Sequence, residues 1–160
     1  MNLMKIIDSP KPSLTFEVFP PKTSATYESI QAAAQQIAVL APSYMSVTYG
    51  AGGGTSDYTL ALARDIQQKF DVPALAHLSC ISSTQSGVKQ QLAALRKAGI
   101  ENILALRGDV PADQPKQAGW QYHYASELVQ EIKQFGGFCI GGACYPEGHP
   151  EKKKKKEDIL

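Results

Sequence analysis

The sequence is poor in cysteine and in long apolar runs, and each shortage excludes a class of protein. Its three cysteines, Cys80, Cys139 and Cys144, are odd in number and fit no common disulfide framework. No CxxC pair accompanies Cys139, Cys144 and His149, so we expect no metal site. No apolar run approaches the roughly 20 residues that span a bilayer, and the first residues lack a secretory signal. We therefore expect a cytoplasmic protein without a membrane partner.

An excess of positive charge is also missing from most of the chain. The formal net charge is +1, yet residues 152–160 hold five lysines against two acidic residues, which leaves about −2 on residues 1–151. A domain without an excess of basic residues lacks the positive surface that binds along a phosphate backbone, so we expect no nucleic-acid partner. Blocks of like charge often form solvated tails. We predict one domain over residues 1–151 and a disordered tail over 152–160, interpreted as a frameshifted or truncated end.

What the sequence does contain is a regular alternation of strand and helix patterns. Strands are predicted at 13–19, 44–50, 73–80, 101–108 and 138–145. Helices are predicted from Thr26 to Leu40, from Thr55 or Ser56 to about Phe70, from Thr84 to Ala98 and from Ala125 to Phe135. Near-continuous apolar strands between helices indicate a parallel sheet that is covered on both faces.

Polar side chains distinguish the two architectures that this alternation allows, a doubly wound open sheet and part of a (β/α)8 barrel. A doubly wound sheet collects its ligand groups at one switch point, whereas a barrel draws them from the carboxyl ends of many strands. Such groups lie in or just after the second half of all five strands: Glu17, Thr48, Tyr49, His77, Arg107, Asp109, Tyr145, Glu147 and His149. Because a full barrel needs about 250 residues, we predict an incomplete (β/α)8 TIM barrel of the α/β class, with about five strands and four helices.

Glu17 is the strongest single candidate for chemistry. Strand alternation places it on the opposite face from Phe16 and Val18. If both faces are covered, the carboxyl group is buried or lines a pocket, and desolvation favours its protonated form, which suits a general acid. A structural ion pair inside the barrel, for example with Arg107, is an equally open alternative.

Three further features are weaker alone. His77 lies in an apolar strand, where a histidine is more often a satisfied core group than a catalyst. The glycine-rich run from Tyr49 to Ser56 lets the backbone approach a ligand at a helix N-terminus, but it lacks the ending of a P-loop. Residues 107–109 read Arg-Gly-Asp, and their place at a strand end suits ligand binding better than cell adhesion.

Six segments, taken together, carry a resemblance to a known family. They are FEVFPPKT (16–23), VTYGAGGGT (47–55), AHLSC (76–80), NILALRGDVP (102–111), YAS (124–126) and CYPEGHPE (144–151). In this order and spacing they resemble methylenetetrahydrofolate reductase of the bacterial type. The resemblance implies a (β/α)8 barrel that binds FAD, takes hydride from NADH or NADPH, and reduces 5,10-methylenetetrahydrofolate to 5-methyltetrahydrofolate in one-carbon and methionine metabolism. It also implies a homo-oligomer.

The same resemblance implies roles for individual residues. Glu17 matches the family's catalytic acid, and Asp109 matches an aspartate beside the flavin whose negative charge favours a cationic folate. Positions that match FAD contacts are Thr48, Tyr49, His77, Arg107, Gly108, Asp109, Tyr124, Ala125, Tyr145 and His149.

The resemblance ends at Glu151, where the family continues with a helix that holds further FAD contacts and with three more strands. Gly54 and Ser56 also depart from the commoner family loop. Two hypotheses therefore stand: a reductase, and a non-catalytic barrel fragment whose open sheet edge is prone to aggregation.

Overall fold

The computed structural model describes residues 2–21, 23–49, 56–81, 83–109, 120–146 and 148. Within these residues, five strands form one parallel sheet in the order β1-β2-β3-β4-β5. The strands are β1 Thr15–Val18, β2 Tyr44–Val47, β3 Ala74–Ser79, β4 Asn102–Leu106 and β5 Cys139–Gly142. The helices are α1 Met4–Ile7, α2 Tyr27–Ala38, α3 Ser56–Lys69, α4 Gln85–Lys97 and α5 Ala125–Phe135, with a 3₁₀ turn at Ser24–Thr26.

The strand order distinguishes the two architectures. Each strand pairs with the next one along the chain, whereas a doubly wound sheet reverses direction at a switch point. Sequential parallel order is the arrangement of a (β/α)8 barrel. Over the described ranges the sheet ends at β1 and β5 without closing, and the predicted α/β class with five strands is confirmed.

One face of the sheet, which we call the outer face, carries the packed core. Its side chains are apolar and at most 1% exposed: Met45, Val47, Ala74, Ala76, Leu78, Ile103 and Ala105. Helix α3 packs on β2 and β3, and α5 packs on β4 and β5. Each large apolar side chain buried in this way contributes about 1.5–3 kcal/mol of transfer free energy, so this layer is the main source of stability.

The opposite face, which we call the inner face, is more polar and less covered. The register pairs Glu17 with Ser46, Leu75 with Asn102, and His77 with Leu104, so these side chains share that face. At its amino-terminal end, Leu3 is 3% exposed and its backbone N–H donates to Asn102 Oδ1 at 3.0 Å. The predicted covering of both faces is observed in part: Ser46, His77 and Asn102 on the inner face are buried, whereas Glu17 is exposed.

The element boundaries follow from local chemistry. Helix α5 has the predicted bounds, and α4 begins after Thr84, whose hydroxyl accepts from the Gly87 N–H at 3.1 Å. The strands are shorter than predicted, because the polar residues at their carboxyl ends leave the ladder and form the loops of the candidate site. The helix predicted from Thr26 to Leu40 ends at Ala38, and Leu40 beyond its end is 61% exposed. Helix α1 was not predicted.

Candidate active site

The inner face brings Glu17, Ser46 and His77 together near the carboxyl ends of β1, β2 and β3. Ser46 Oγ donates to Glu17 Oε2 at 3.4 Å, and His77 Nε2 lies 3.4 Å from the same oxygen. The register explains the cluster: Ser46 is the direct partner of Glu17, and it also pairs with Leu75, one side-chain repeat before His77. A carboxylate, a hydroxyl and an imidazole at one point can hold and transfer a proton.

Burial differs within this cluster. Ser46 and His77 are 7% and 8% exposed, whereas the Glu17 side chain is 47% exposed. The expected burial of the carboxylate is therefore not observed. Burial lowers the pKa of His77, and the Glu17 carboxylate opposes that shift. The basic side chain that lies against the Glu17 carboxylate is His77, which is charged only when protonated, whereas the sequence suggested Arg107.

Thr48 and Tyr49 follow β2 directly and are held by contacts from two helices. The Thr48 N–H donates to the Val18 carbonyl at 3.0 Å, and the Thr48 carbonyl accepts from Thr59 Oγ1 of α3 at 2.9 Å. The Tyr49 hydroxyl accepts from Gln91 Nε2 of α4 at 2.8 Å. These contacts position the start of the glycine-rich run, whose residues 50–55 lie outside the described residues.

Residues 107–109 form the segment directly after β4. The Arg107 carbonyl accepts from the Ile81 N–H at 2.8 Å and from Ser79 Oγ at 3.1 Å. Gly108 has φ +85, and a Cβ there would clash with Ser79 Oγ and lie 2.9 Å from Ile81 Cγ2, so only glycine fits without displacement. Because β2 and β4 are parallel, this segment lies at the same edge of the sheet as Thr48, with Arg107 half-buried and Asp109 exposed.

Tyr124 and Ala125 lie at the start of α5, next to the end of β3. The Glu127 carboxylate accepts from the N–H groups of His123 and Tyr124 at 2.5 and 2.8 Å, and these hydrogen bonds lower the pKa of Glu127. Cys80 Sγ lies 3.7 Å from the Tyr124 carbonyl, and burial raises the pKa of this thiol to about 11. Cys80 is therefore a structural thiol at this junction.

The last candidates are placed only in part. Tyr145 follows β5 and is 49% exposed, whereas Glu147 and His149 lie outside the described residues. The described residues that directly follow β2, β4 and β5 thus lie at the same edge of the sheet as Glu17 and His77. Whether each of these residues contacts a cofactor stays a prediction.

Sequence reasoning missed Ser46 and one cavity. Strand alternation places Ser46 opposite Glu17, and this would have been the signal for it. The cavity, of about 330 Å³, lies between α3 and α4 and borders the cluster through Tyr49 and His77. Its other polar lining residues are Asp57, Thr59, Gln90 and Gln91.

Two features are absent from the described residues. Within these ranges no three His, Cys, Asp or Glu side chains are grouped as a metal site would require. None of the described helices combines the length and the apolar character of a membrane span. Cys80 is buried, Cys139 is half-buried and Cys144 is exposed.

Comparison with known proteins decides which family this arrangement belongs to. A family model described as methylenetetrahydrofolate reductase matches residues 2–160. The chain belongs to the methylenetetrahydrofolate reductase family. The resemblance drawn from the six segments is thereby confirmed, and so is the expected barrel class, since this family folds as a TIM barrel. The match includes the lysine-rich segment, so the division at residue 151 stays a prediction.

Individual relatives agree with the family match. The 5,10-methylenetetrahydrofolate reductases of Pectobacterium carotovorum and Escherichia coli are 35% and 36% identical over 148 residues, which is 92% of this chain. The match covers 48% and 49% of those two proteins. Methylenetetrahydrofolate reductase (NADH) 1 of Zea mays is 37% identical over 143 residues, or 87% of this chain and 24% of that protein. The chain therefore spans about half the length of the bacterial relatives that it matches.

Proposed function

We propose that this chain carries the catalytic acid and part of the flavin site of a reductase that converts 5,10-methylenetetrahydrofolate to 5-methyltetrahydrofolate. The observation that carries the proposal is the cluster at Glu17. A carboxyl group at the carboxyl end of a barrel strand, with a hydroxyl and an imidazole on one oxygen, lies where barrel enzymes place their catalytic groups. Membership of the family and the printed names of the relatives indicate the substrate.

Glu17 is proposed to donate the proton that opens the methylene bridge of the folate. Its half-exposed side chain faces the uncovered side of the sheet, where a substrate has access. Asp109, exposed after β4, adds a negative charge at the same edge. A fixed negative charge there stabilises the cationic folate that forms when the bridge opens.

The flavin proposal is supported by the described residues that directly follow β2, β4 and β5. FAD, when bound, supplies the hydride transfer between NADH or NADPH and the folate. Close packing of Gly108 against Ser79 and Ile81 fixes the segment that carries Arg107, and Arg107 offers a cation for phosphate oxygens. Exposed aromatic rings at Tyr124 and Tyr145 offer surfaces for stacking. The other proposed contacts are Thr48, Tyr49, His77, Asp109, Ala125 and His149.

Purification of the whole chain tests this proposal. We expect a yellow protein with flavin absorbance and with NADH or NADPH oxidation that depends on added FAD. Loss of flavin binding in Gly108→Ala, with retention in Gly142→Ala, would assign the binding to this edge, because a Cβ at Gly142 meets open space. A colourless chain that ignores added FAD would contradict the proposal.

A second candidate function is a non-catalytic fragment of such a reductase. The observation that favours it is the open inner face, on which Glu17 is 47% exposed and where the described sheet has free edges at β1 and β5. Unpaired edge strands promote association. A chain that aggregates without flavin in size-exclusion chromatography, and does not oxidise NADH, would support this alternative.

We also propose a cytoplasmic protein with a folate partner, no nucleic-acid partner and no membrane partner. Bacterial relatives with folate-reductase names support the folate partner. We propose that the full-length family protein is a homo-oligomer. Light scattering measures the oligomeric state of this chain, and a monomer would contradict self-association through the described surfaces.

A further inference from the structure

We propose that Ser46 and His77 are positioning residues that hold the Glu17 carboxyl group through Oε2 and leave Oε1 to face the folate. The inference deepens the proposed function and depends on it for the role of Glu17 as an acid. Ser46 is the new residue here, since neither the sequence motifs nor the expected flavin contacts include it.

The argument starts from the shared oxygen. Ser46 Oγ and His77 Nε2 approach Glu17 Oε2 from two neighbouring strands, each at 3.4 Å. Both side chains are more than nine-tenths buried, so packing fixes them, whereas Glu17 is half-exposed on the inner face. A carboxylate that accepts from one buried hydroxyl and lies against one buried imidazole loses much of its rotamer freedom, and a catalytic group needs that orientation.

The distances also indicate when the contacts are strongest. Hydroxyl-to-carboxylate hydrogen bonds have an ordinary length of about 2.7 Å, so contacts of 3.4 Å are weak in this state. Catalytic hydrogen bonds without substrate are often long and tighten in the complex. The hydroxyl of Ser46 and the imidazole of His77 therefore limit the positions that the Glu17 carboxylate can take.

NMR of the complete chain, without flavin or folate, tests the contacts directly. In Ser46→Ala we expect the side-chain coupling constants of Glu17 to move from those of one dominant rotamer toward averaged values, because the hydroxyl that donates to Oε2 is removed. In Glu17→Gln we expect the His77 titration midpoint to fall, because the carboxylate that opposes the effect of burial is removed. Ser46→Thr keeps a hydroxyl and should retain the wild-type couplings of Glu17.

Ser79→Ala is the matched control, because Ser79 lies on the inner face of β3 but donates to the Arg107 carbonyl. It should leave the Glu17 couplings unchanged. The double variant Ser46→Ala with His77→Gln should show the most averaged couplings, whereas the wild type shows one dominant rotamer. An unchanged His77 midpoint in Glu17→Gln and unchanged Glu17 couplings in Ser46→Ala would overturn the inference. Absence of flavin binding would overturn the proposed function and leave these NMR results standing.

Discussion

The two faces of the sheet differ in composition, burial and purpose. On the outer face, side chains such as Met45, Val47 and Ile103 are fully buried under the helices. On the inner face, Glu17 is half-exposed and shares its surface with Ser46 and His77. Stability therefore depends mainly on one face and the proposed chemistry on the other, although each strand contributes to both through simple alternation.

A single strand can supply side chains to both the packed core and the candidate site. In β3, Ala76 and Leu78 are buried in the core, and His77 between them faces the candidate site. Substitutions on the outer face should unfold the chain, whereas substitutions on the inner face should change the site and leave the fold. Asn102 departs from this rule, because it is fully buried on the inner face and donates to the Ala74 carbonyl at 3.1 Å.

The largest effect on stability is expected from substitutions at Ile103 and Leu104, two neighbours in β4 whose side chains point to opposite faces of the sheet. Ile103→Ala should lower the free energy of unfolding by about 2–5 kcal/mol, because it leaves a cavity in a packed core. Leu104→Ala, half-buried on the inner face, should lower it by about 1–2 kcal/mol. Urea denaturation followed by circular dichroism measures both. Equal losses would show that the inner face is packed as tightly as the outer face.

A smaller effect on stability is expected at Gly108, in the segment directly after β4. Gly108→Ala places a side chain at φ +85, at a cost of about 1–2 kcal/mol, and adds a clash with Ile81. Gly136→Ala has φ +75 but meets open space, so it isolates the conformational cost. Gly108→Ala should be the more destabilising of the two in thermal unfolding. Equal melting temperatures of the two variants would exclude close packing of Gly108 against Ile81.

The smallest effect is a pH dependence that comes from the inner face. Because the pKa of His77 is below its ordinary 6.5 in the folded chain, the unfolded chain binds more protons between the two values. Stability should be complete above pH 6.5 and should fall as the pH drops through the lowered value. Urea titrations from pH 8 to 5 measure this fall. His77→Gln should flatten it, and the exposed His123→Gln should not; a fall that persists in His77→Gln would assign it elsewhere.

The fold was largely predictable, because strand and helix patterns alternate regularly along the sequence. The apolar run at 102–106 and the glycine pair after Phe135 predicted β4 and the end of α5 closely. Strand ends were less predictable, since the residues after Val47 and Leu106 keep strand-like composition but turn away to form loops. Helix α1 has only four residues, too few for a periodic pattern.

The site was predictable in its residues but not in its contacts. Glu17 and His77 were each identified, yet the sequence offered Arg107 as the partner of Glu17. Whether His77 or Arg107 reaches the carboxylate depends on the strand register and on how far each strand extends. The local sequence encodes neither of these two properties. Ser46 was missed because a serine in a strand carries no chemical signal until the register places it opposite Glu17.

The most direct test of the central claim is a comparison of two reactions in wild type and Glu17→Gln, with the whole chain and added FAD. The account predicts that Glu17→Gln keeps NADH or NADPH oxidation with an artificial electron acceptor, and loses at least about 100-fold in reduction of 5,10-methylenetetrahydrofolate, as expected for removal of a general acid. Equal loss of both reactions, or folate reduction at the wild-type rate, would contradict the assignment of Glu17 as the acid.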